Sequence, residues 1–174
     1  MRENMTEIVF VIDKSGSMEK FIDDTIGSFN SIIKTYKKED NDVSVTTILF
    51  DTEITVLYDR MNIDNIPILT EREYIPSGYT ALFDALGSSI YHVINIHKHL
   101  PIEEYPHKTI MIIITDGAED NSSRYEPPQI KRMIERQKKE TEWDFVFLGA
   151  NSIAKEIADT IGAYKNYNYK YTNN

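Results

Sequence analysis

Short apolar runs alternate with amphipathic stretches along almost the whole chain. The runs resemble strands covered on both faces and lie at 7–12, 43–50, 108–114 and 145–148. The stretches with apolar residues at helical spacing lie at 18–37, 81–99, 127–140 and 152–161. A further run at 53–58 follows the tight turn Asp51-Thr52, which predicts a hairpin. The pattern predicts an α/β fold with three layers: a doubly wound, mostly parallel central β-sheet with one antiparallel edge hairpin strand.

The chain length favours one domain. All 174 residues fit a single unit with a core at about 6–162, and no repeat or linker interrupts it. Residues 163–174 alternate Tyr with polar residues, which suits either a short edge strand or a disordered tail. Ser17 is the expected cap of the first helix, which would begin at Met18.

Composition excludes several classes of function. Nineteen Lys and Arg against 28 Asp and Glu give a net charge of −9, which argues against nucleic-acid binding and against an anionic membrane surface. The absence of cysteine excludes disulfides and thiolate chemistry. No apolar run approaches the roughly 18 residues of a membrane helix, and no apolar signal segment precedes the first strand, so we expect a cytoplasmic protein.

Three polar loops follow predicted strands or precede a predicted helix. They are Asp13-Lys14-Ser15-Gly16-Ser17, Ser77-Gly78-Tyr79-Thr80 and Thr115-Asp116-Gly117. Because the carboxyl ends of parallel strands share one edge of a sheet, we expect the three loops to meet there. Together they present carboxylate and hydroxyl oxygens, the hard donors that Mg²⁺ prefers. Hydroxyl ligands leave much of the ion's charge uncompensated, so an outside carboxylate would be a favoured further ligand.

At this point the sequence resembles a known family. Three motifs are similar to the metal-ion-dependent adhesion site of von Willebrand factor A domains: Asp13-x-Ser15-x-Ser17, Thr80 in its Gly-x-Thr context, and Asp116 in Thr-Asp-Gly. The resemblance covers roughly 7–161. The resemblance implies an intact site in which Ser15, Ser17 and Thr80 coordinate Mg²⁺, with Mn²⁺ or Ca²⁺ as substitutes. Asp13 and Asp116 would bind directly or through water.

The resemblance also implies a function. We expect a small, stand-alone bacterial or phage protein that is not an enzyme and that binds the Asp or Glu carboxylate of a protein partner through the metal. Relatives within cells work in ATPase or stress-response assemblies, which makes such assemblies candidate partners. Tyr79 and Glu119 lie beside the site residues in the sequence and are candidates for a rim that contacts the partner; simple loop packing and a solvated charge are the alternatives.

Two other functions stay open. A strand-end Asp with a metal is compatible with a phosphohydrolase. However, Ser15 occupies the position where the haloacid-dehalogenase pattern needs a second carboxylate, and no glycine-rich loop with Lys is present. A scaffold in which the metal only ties the loops together is the other alternative. The four histidines, His92, His97, His99 and His107, are interpreted as surface residues.

Overall fold

Strands and helices follow one another in the order that the hydrophobic pattern predicts. The structure is a computed structural model that describes residues 2–39, 41–149 and 152–163. The strands are β1 (Arg2–Asp13), β2 (Asp42–Phe50), β3 (Ile54–Asn62), β4 (Pro106–Thr115) and β5 (Asp144–Gly149). The α-helices are α1 (Ile22–Lys37), α2 (Leu82–His99), α3 (Pro127–Thr141) and α4 (Ser152–Thr160). Short 3₁₀ segments lie at Gly16–Phe21, Ile63–Asn65 and Ile102–Glu104. The predicted tail strand falls at 164–174, outside the described residues.

The sheet has the order β3-β2-β1-β4-β5, and every pair is parallel except β2 with β3. This arrangement confirms the predicted fold class. Strand β1 is central: Val9 pairs with Thr46 on one side and with Met111 on the other. The chain moves outward from β1 through β2 and β3 and then returns to add β4 on the opposite side. The strand order therefore reverses at β1, and the carboxyl ends of β1 and β4 form the crevice where such sheets bind ligands.

Both faces of the sheet are covered, which explains why the strands are apolar throughout. Val9 and Val11 of β1 face a core shared with α2, α3 and α4. Ile8 and Phe10, which point the other way, pack with α1 and with the irregular segment at 63–74. Among the described helices, none has both the length and the apolarity needed to cross a bilayer.

The start of the first helix differs from the prediction. Residues 16–21 form a 3₁₀ segment, and the α-helix begins only at Ile22. The Met18 N–H donates to the Ser15 carbonyl at 3.0 Å, and the Gly16 N–H donates to the Gly78 carbonyl at 3.0 Å. These bonds tighten the turn and tie it to another loop. Ser17 consequently does not cap α1, and its hydroxyl lies 3.2 Å from the Ser15 hydroxyl instead.

The surface interpretation of His97 is wrong. The side chain is only 6% exposed, and its Nε2 lies 2.6 Å from Glu7 Oε2 in the middle of β1. Strand β3 is also longer than predicted. It continues through Arg60, a residue in the left-handed region at φ 47° whose N–H donates to the Thr46 hydroxyl at 3.0 Å.

Candidate metal centre

The loop after β1 brings the first carboxylate and two hydroxyls together. Asp13 ends the strand, and its Oδ1 accepts the Ser15 N–H at 2.8 Å, which folds the loop back over the strand end. The hydroxyl oxygens of Ser15 and Ser17 lie 3.2 Å apart. Adjacent ligands of an octahedral Mg²⁺ at about 2.1 Å lie about 3 Å from one another, so this pair is spaced to share one small cation.

The loop after β4 is joined to the first loop through Asp13. The hydroxyl of Thr115, the last residue of β4, donates to Asp13 Oδ2 at 2.7 Å and accepts the Gly117 N–H at 3.0 Å. Asp116 Oδ1 accepts the Ala118 N–H at 3.0 Å. Both oxygens of Asp13 are therefore already hydrogen-bonded. That arrangement suits a carboxylate that orients the site and reaches a cation through water rather than by direct coordination.

The loop before α2 completes the set. The Gly78 carbonyl accepts from Gly16 of the first loop. The Thr80 N–H donates to Asp120 Oδ1 at 2.8 Å, while the Thr80 carbonyl accepts the N–H groups of Asp120 and Asn121 at 3.1 and 3.0 Å. All three loops are thus hydrogen-bonded to one another. Thr80 is only 2% exposed, and its hydroxyl is the candidate ligand from this loop.

The charge of Asp13 is unfavourable in the metal-free fold. The pKa of the Asp13 carboxyl is raised from 3.8 to about 6, chiefly because the group is buried and to a smaller extent because the Asp116 carboxylate is near. The hydrogen bonds from Ser15 and Thr115 act in the opposite direction but only in part. Two acidic groups held close together in a buried pocket favour a bound cation, because the cation would compensate their charge.

The chemistry of the donors fits a hard dication. Asp13, Ser15, Thr80 and Asp116 are all buried. In the described ranges no cluster of three or more His, Asp or Glu could hold a metal by itself. A cation bound here would consequently depend on the serine and threonine hydroxyls, which is the donor set that the sequence predicted. Oxygen donors without nitrogen or sulfur suit Mg²⁺ or Mn²⁺.

Three residues that hold the site in place were not among the predicted metal ligands. Tyr74, 61 residues after Asp13 in the sequence, donates its hydroxyl to the Asp13 carbonyl. Asp120 fixes the backbone of Thr80, whose N–H donates to Asp120 Oδ1. Thr115 fixes Asp13. Only the position of Thr115 at a strand end, beside Asp116, could have pointed to such a role.

The two candidates for the rim lie in different environments. Tyr79 is 66% exposed, and its N–H donates to the Thr52 hydroxyl at 3.2 Å. The Glu119 carboxylate instead accepts the N–H and hydroxyl of Ser122 at 2.7 and 2.9 Å, and its Oε2 lies 3.2 Å from the Phe83 nitrogen at the start of α2. Glu119 thus orders the loop and the helix end. Tyr79 has the accessible side chain that a partner contact requires.

Asp84 organises the loop that follows β4. Its carboxylate accepts the backbone N–H groups of Ser123, Arg124 and Tyr125 at 3.0, 2.9 and 2.9 Å. Burial acts to raise the pKa of this carboxyl, but the three donors and the Arg124 guanidinium lower it below its ordinary value. Asp84 therefore supports the shape of the loop rather than offering its oxygens to the pocket.

Comparison with known proteins places the chain among others of the same architecture. A family model described as the von Willebrand factor type A domain matches residues 7–174. Domains of this kind are generally protein-interaction modules, some of them metal-dependent. Among curated proteins, no sequence matches this chain.

Solved structures resemble this fold at low sequence identity. The manganese-loaded TRAP protein of Plasmodium vivax aligns with a TM-score of 0.65 at 18% identity, over 91% of this chain and 64% of that chain. A mutant of the PilB minor pilin from Streptococcus sanguinis gives 0.63 at 17%, over 93% and 55%. A von Willebrand factor type A protein from Catenulispora acidiphila gives 0.58 at 17%, over 92% and 37%. The chain spans less than two thirds of each.

Proposed function

The chain belongs to the von Willebrand factor type A domain family, and on that premise we propose that it is a non-enzymatic interaction module whose partner binding depends on Mg²⁺. Ser15, Ser17 and Thr80 would hold the ion, with Asp13 and Asp116 acting directly or through water. Hydrogen bonds join the three hydroxyl-bearing loops at one edge of the sheet, and this observation supports the proposal above all. Bound Mg²⁺ would supply an electrophilic position for the Asp or Glu carboxylate of a partner.

The chain's own residues prepare the pocket before any partner arrives. Thr115 and the Ser15 backbone occupy both oxygens of Asp13, so this carboxylate is held in one orientation. Asp120 fixes the backbone that carries the Thr80 hydroxyl. Carboxylates that already accept hydrogen bonds would neutralise a cation less completely than free carboxylates. The cation would then keep more of its positive charge, which favours binding of an acidic group from a partner.

The same site makes a phosphohydrolase a weaker candidate. The position two residues after Asp13 is Ser15, whose hydroxyl lies against Ser17. We therefore propose an interaction partner rather than a substrate. ATPase and stress-response assemblies are the partner classes that the family resemblance implies.

Selection of binding peptides tests the proposal without a known partner. Random peptides displayed on phage would be selected against the protein in MgCl₂ and, in parallel, in EDTA. We expect the magnesium arm to enrich peptides that share an Asp or Glu, with binding lost when that residue becomes Asn or Gln. Thr80→Ala should bind none of them, while Asp64→Asn, an exposed acidic position away from the loops, should bind normally. Peptides that bind equally well in EDTA would contradict a metal-dependent function.

A further inference from the structure

Three exposed hydrophobic side chains lie beside the loops of the candidate metal centre. They are Ile75, Tyr79 and Ile153, which are 63%, 66% and 53% exposed. Single exposed hydrophobic side chains are common on soluble proteins, so exposure alone carries no functional meaning. A group of them beside one site does, because exposed apolar patches mark surfaces that bind other proteins.

Ile75 and Tyr79 lie on either side of a contact between two of the loops. Between them in the sequence, the Ser77 N–H donates to the carbonyl of Lys14, in the loop that carries the two serines, at 2.8 Å. Ile75 is two residues from Ser77, so at most about 7 Å of chain separates it from this contact. Tyr79 directly precedes Thr80, a candidate ligand of the metal.

Ile153 lies against the third loop. A Cβ placed on Gly117 would be 2.8 Å from the carbonyl carbon of Ile153, so the two backbones are in direct contact. Gly117 follows Asp116, the carboxylate of that loop. All three loops therefore have an exposed hydrophobic side chain in them or beside them. We call Ile75, Tyr79 and Ile153 the apolar rim.

The charges around the apolar rim do not favour a strongly acidic partner. Cations close to the loops or to the rim in the sequence each have a carboxylate beside them: Lys14 has Asp51, Arg124 has Asp84, Arg72 has Glu73 and Lys155 has Glu156. The first two pairs are 3.5 and 3.8 Å apart, and the other two are neighbours in the sequence. Glu119 and Asp120 add negative charge to the loop after β4. Acidic groups of a partner beyond the one at the metal would consequently be repelled.

We propose that the partner segment carries one Asp or Glu with bulky apolar residues within three positions of it, and that the apolar rim binds those residues. This inference rests on the proposed function, because the carboxylate at the metal fixes the point from which the partner chain extends. An extended chain advances about 3.3 Å per residue, so the neighbours of the acid reach about 3–10 Å from it. Tyr79 is next to Thr80, and Ile153 touches Gly117, so the rim lies within that reach. Apolar burial there would add affinity that the metal alone does not supply.

A peptide library with one fixed Asp tests the sequence preference. Peptides with five random residues on each side of the Asp would be displayed on phage and selected in MgCl₂. We expect the selected peptides to be richer than the starting library in Ile, Leu, Val, Phe, Tyr or Trp within three positions of the Asp, and poorer in further Asp or Glu. Synthetic copies in which Ser replaces these apolar residues should bind about 5- to 30-fold more weakly.

Matched variants of the protein test the apolar rim itself. Ile75→Ser, Tyr79→Ser and Ile153→Ser should each weaken binding of a selected peptide by about 5- to 30-fold. Tyr91→Ser and Ile102→Ser are the controls and should leave binding unchanged. Tyr91 is 61% exposed and lies in the middle of α2, whereas Ile102 is 62% exposed and precedes the start of β4, at the opposite end of that strand from Thr115. The affinity for Mn²⁺, measured by electron paramagnetic resonance, should be equal in the parent and in all five variants.

The outcomes separate this inference from the proposed function. If no peptide binds through its Asp in MgCl₂, or if binding persists in EDTA, both are wrong. If peptides bind through their Asp in MgCl₂ but need no apolar residue, or if the rim variants bind them as tightly as the parent does, only this inference is overturned. It is also overturned if sedimentation shows self-association of the parent that the rim variants lose while peptide binding is unchanged, because the apolar rim would then join two copies of the chain.

Discussion

Replacing Asp13 by Asn should stabilise the protein when no metal is present. The folded state raises the pKa of Asp13 from 3.8 to about 6. Each pKa unit corresponds to about 1.4 kcal/mol, so ionised Asp13 destabilises the metal-free fold by about 3 kcal/mol at neutral pH. Asn is nearly the same shape and carries no charge.

Part of this gain is lost in hydrogen bonding. Asp13 accepts from both the Ser15 N–H and the Thr115 hydroxyl, whereas Asn has only one acceptor oxygen. Its amide NH₂ can donate to the Thr115 oxygen, but the Thr115 hydrogen then needs another partner, at a cost of about 1 kcal/mol. We therefore expect the free energy of unfolding of Asp13→Asn to exceed that of the parent by about 1–2 kcal/mol.

The assay is urea unfolding followed by circular dichroism in EDTA at several pH values. For a carboxyl whose pKa is raised in the folded state, protonation stabilises the fold, and this stability is lost as the pH rises through about 6. The advantage of Asp13→Asn should therefore be full at pH 7 and vanish as the pH falls toward about 4, the ordinary pKa of aspartate. Carboxyls that do not interact with Asp13 contribute equally to both proteins and cancel.

Two controls make the result specific. Asp64→Asn, at an exposed position, should leave the free energy of unfolding unchanged both at pH 7 and at about pH 4. Addition of Mg²⁺ should stabilise the parent protein and not Asp13→Asn. A variant that is less stable than the parent in EDTA at pH 7, or a difference that does not depend on pH, would refute the reasoning about the charge of Asp13.

Three further predictions concern the loops around the site. Gly117→Ala should lower the free energy of unfolding by about 2–4 kcal/mol, because Gly117 has φ +82° and a Cβ there would lie 2.4 Å from the Ala154 nitrogen. The measurement is urea unfolding, and an unchanged urea midpoint would contradict this close approach. Asp84→Asn should lower it by about 1–3 kcal/mol at pH 7 because the side chain accepts three backbone N–H groups. The pKa of Asp84 is lowered in the fold, so the loss of stability in Asp84→Asn should disappear only when the pH falls below that pKa. A loss of stability that grows in acid would contradict this prediction. Mg²⁺ at a hundredfold excess over its Kd should stabilise the protein by about 2.7 kcal/mol in thermal unfolding, and Thr80→Ala should remove this stabilisation. Equal stabilisation of the parent protein and of Thr80→Ala would show that the ion binds at another site.

The hydrophobic pattern was enough to predict the architecture. Continuous apolar runs such as 8–12 and 110–114 are buried on both faces of the sheet, and each strand predicted within the described residues exists. Parallel order and the position of the loops at strand ends follow from that pattern by topology alone. The meeting of Ser15, Gly78 and Thr115 at one edge was therefore predictable.

The details that failed depend on partners distant in the sequence. His97 is buried because Glu7, 90 residues away, accepts from it inside the fold. Tyr74 reaches Asp13 across 61 residues. The late start of α1 reflects the bond between Gly16 and Gly78, which no local propensity encodes. Local periodicity carries no information about such pairs, since it describes only neighbours within a few turns.

Anomalous diffraction from crystals grown with MnCl₂ tests the central claim most directly. The account predicts a single strong manganese peak within coordination distance, about 2.2 Å, of the hydroxyl oxygens of Ser15, Ser17 and Thr80. The same crystals of Thr80→Ala should show the peak weakened or lost. A well-ordered pocket without manganese in the parent protein, or a peak held by other residues, would contradict the account.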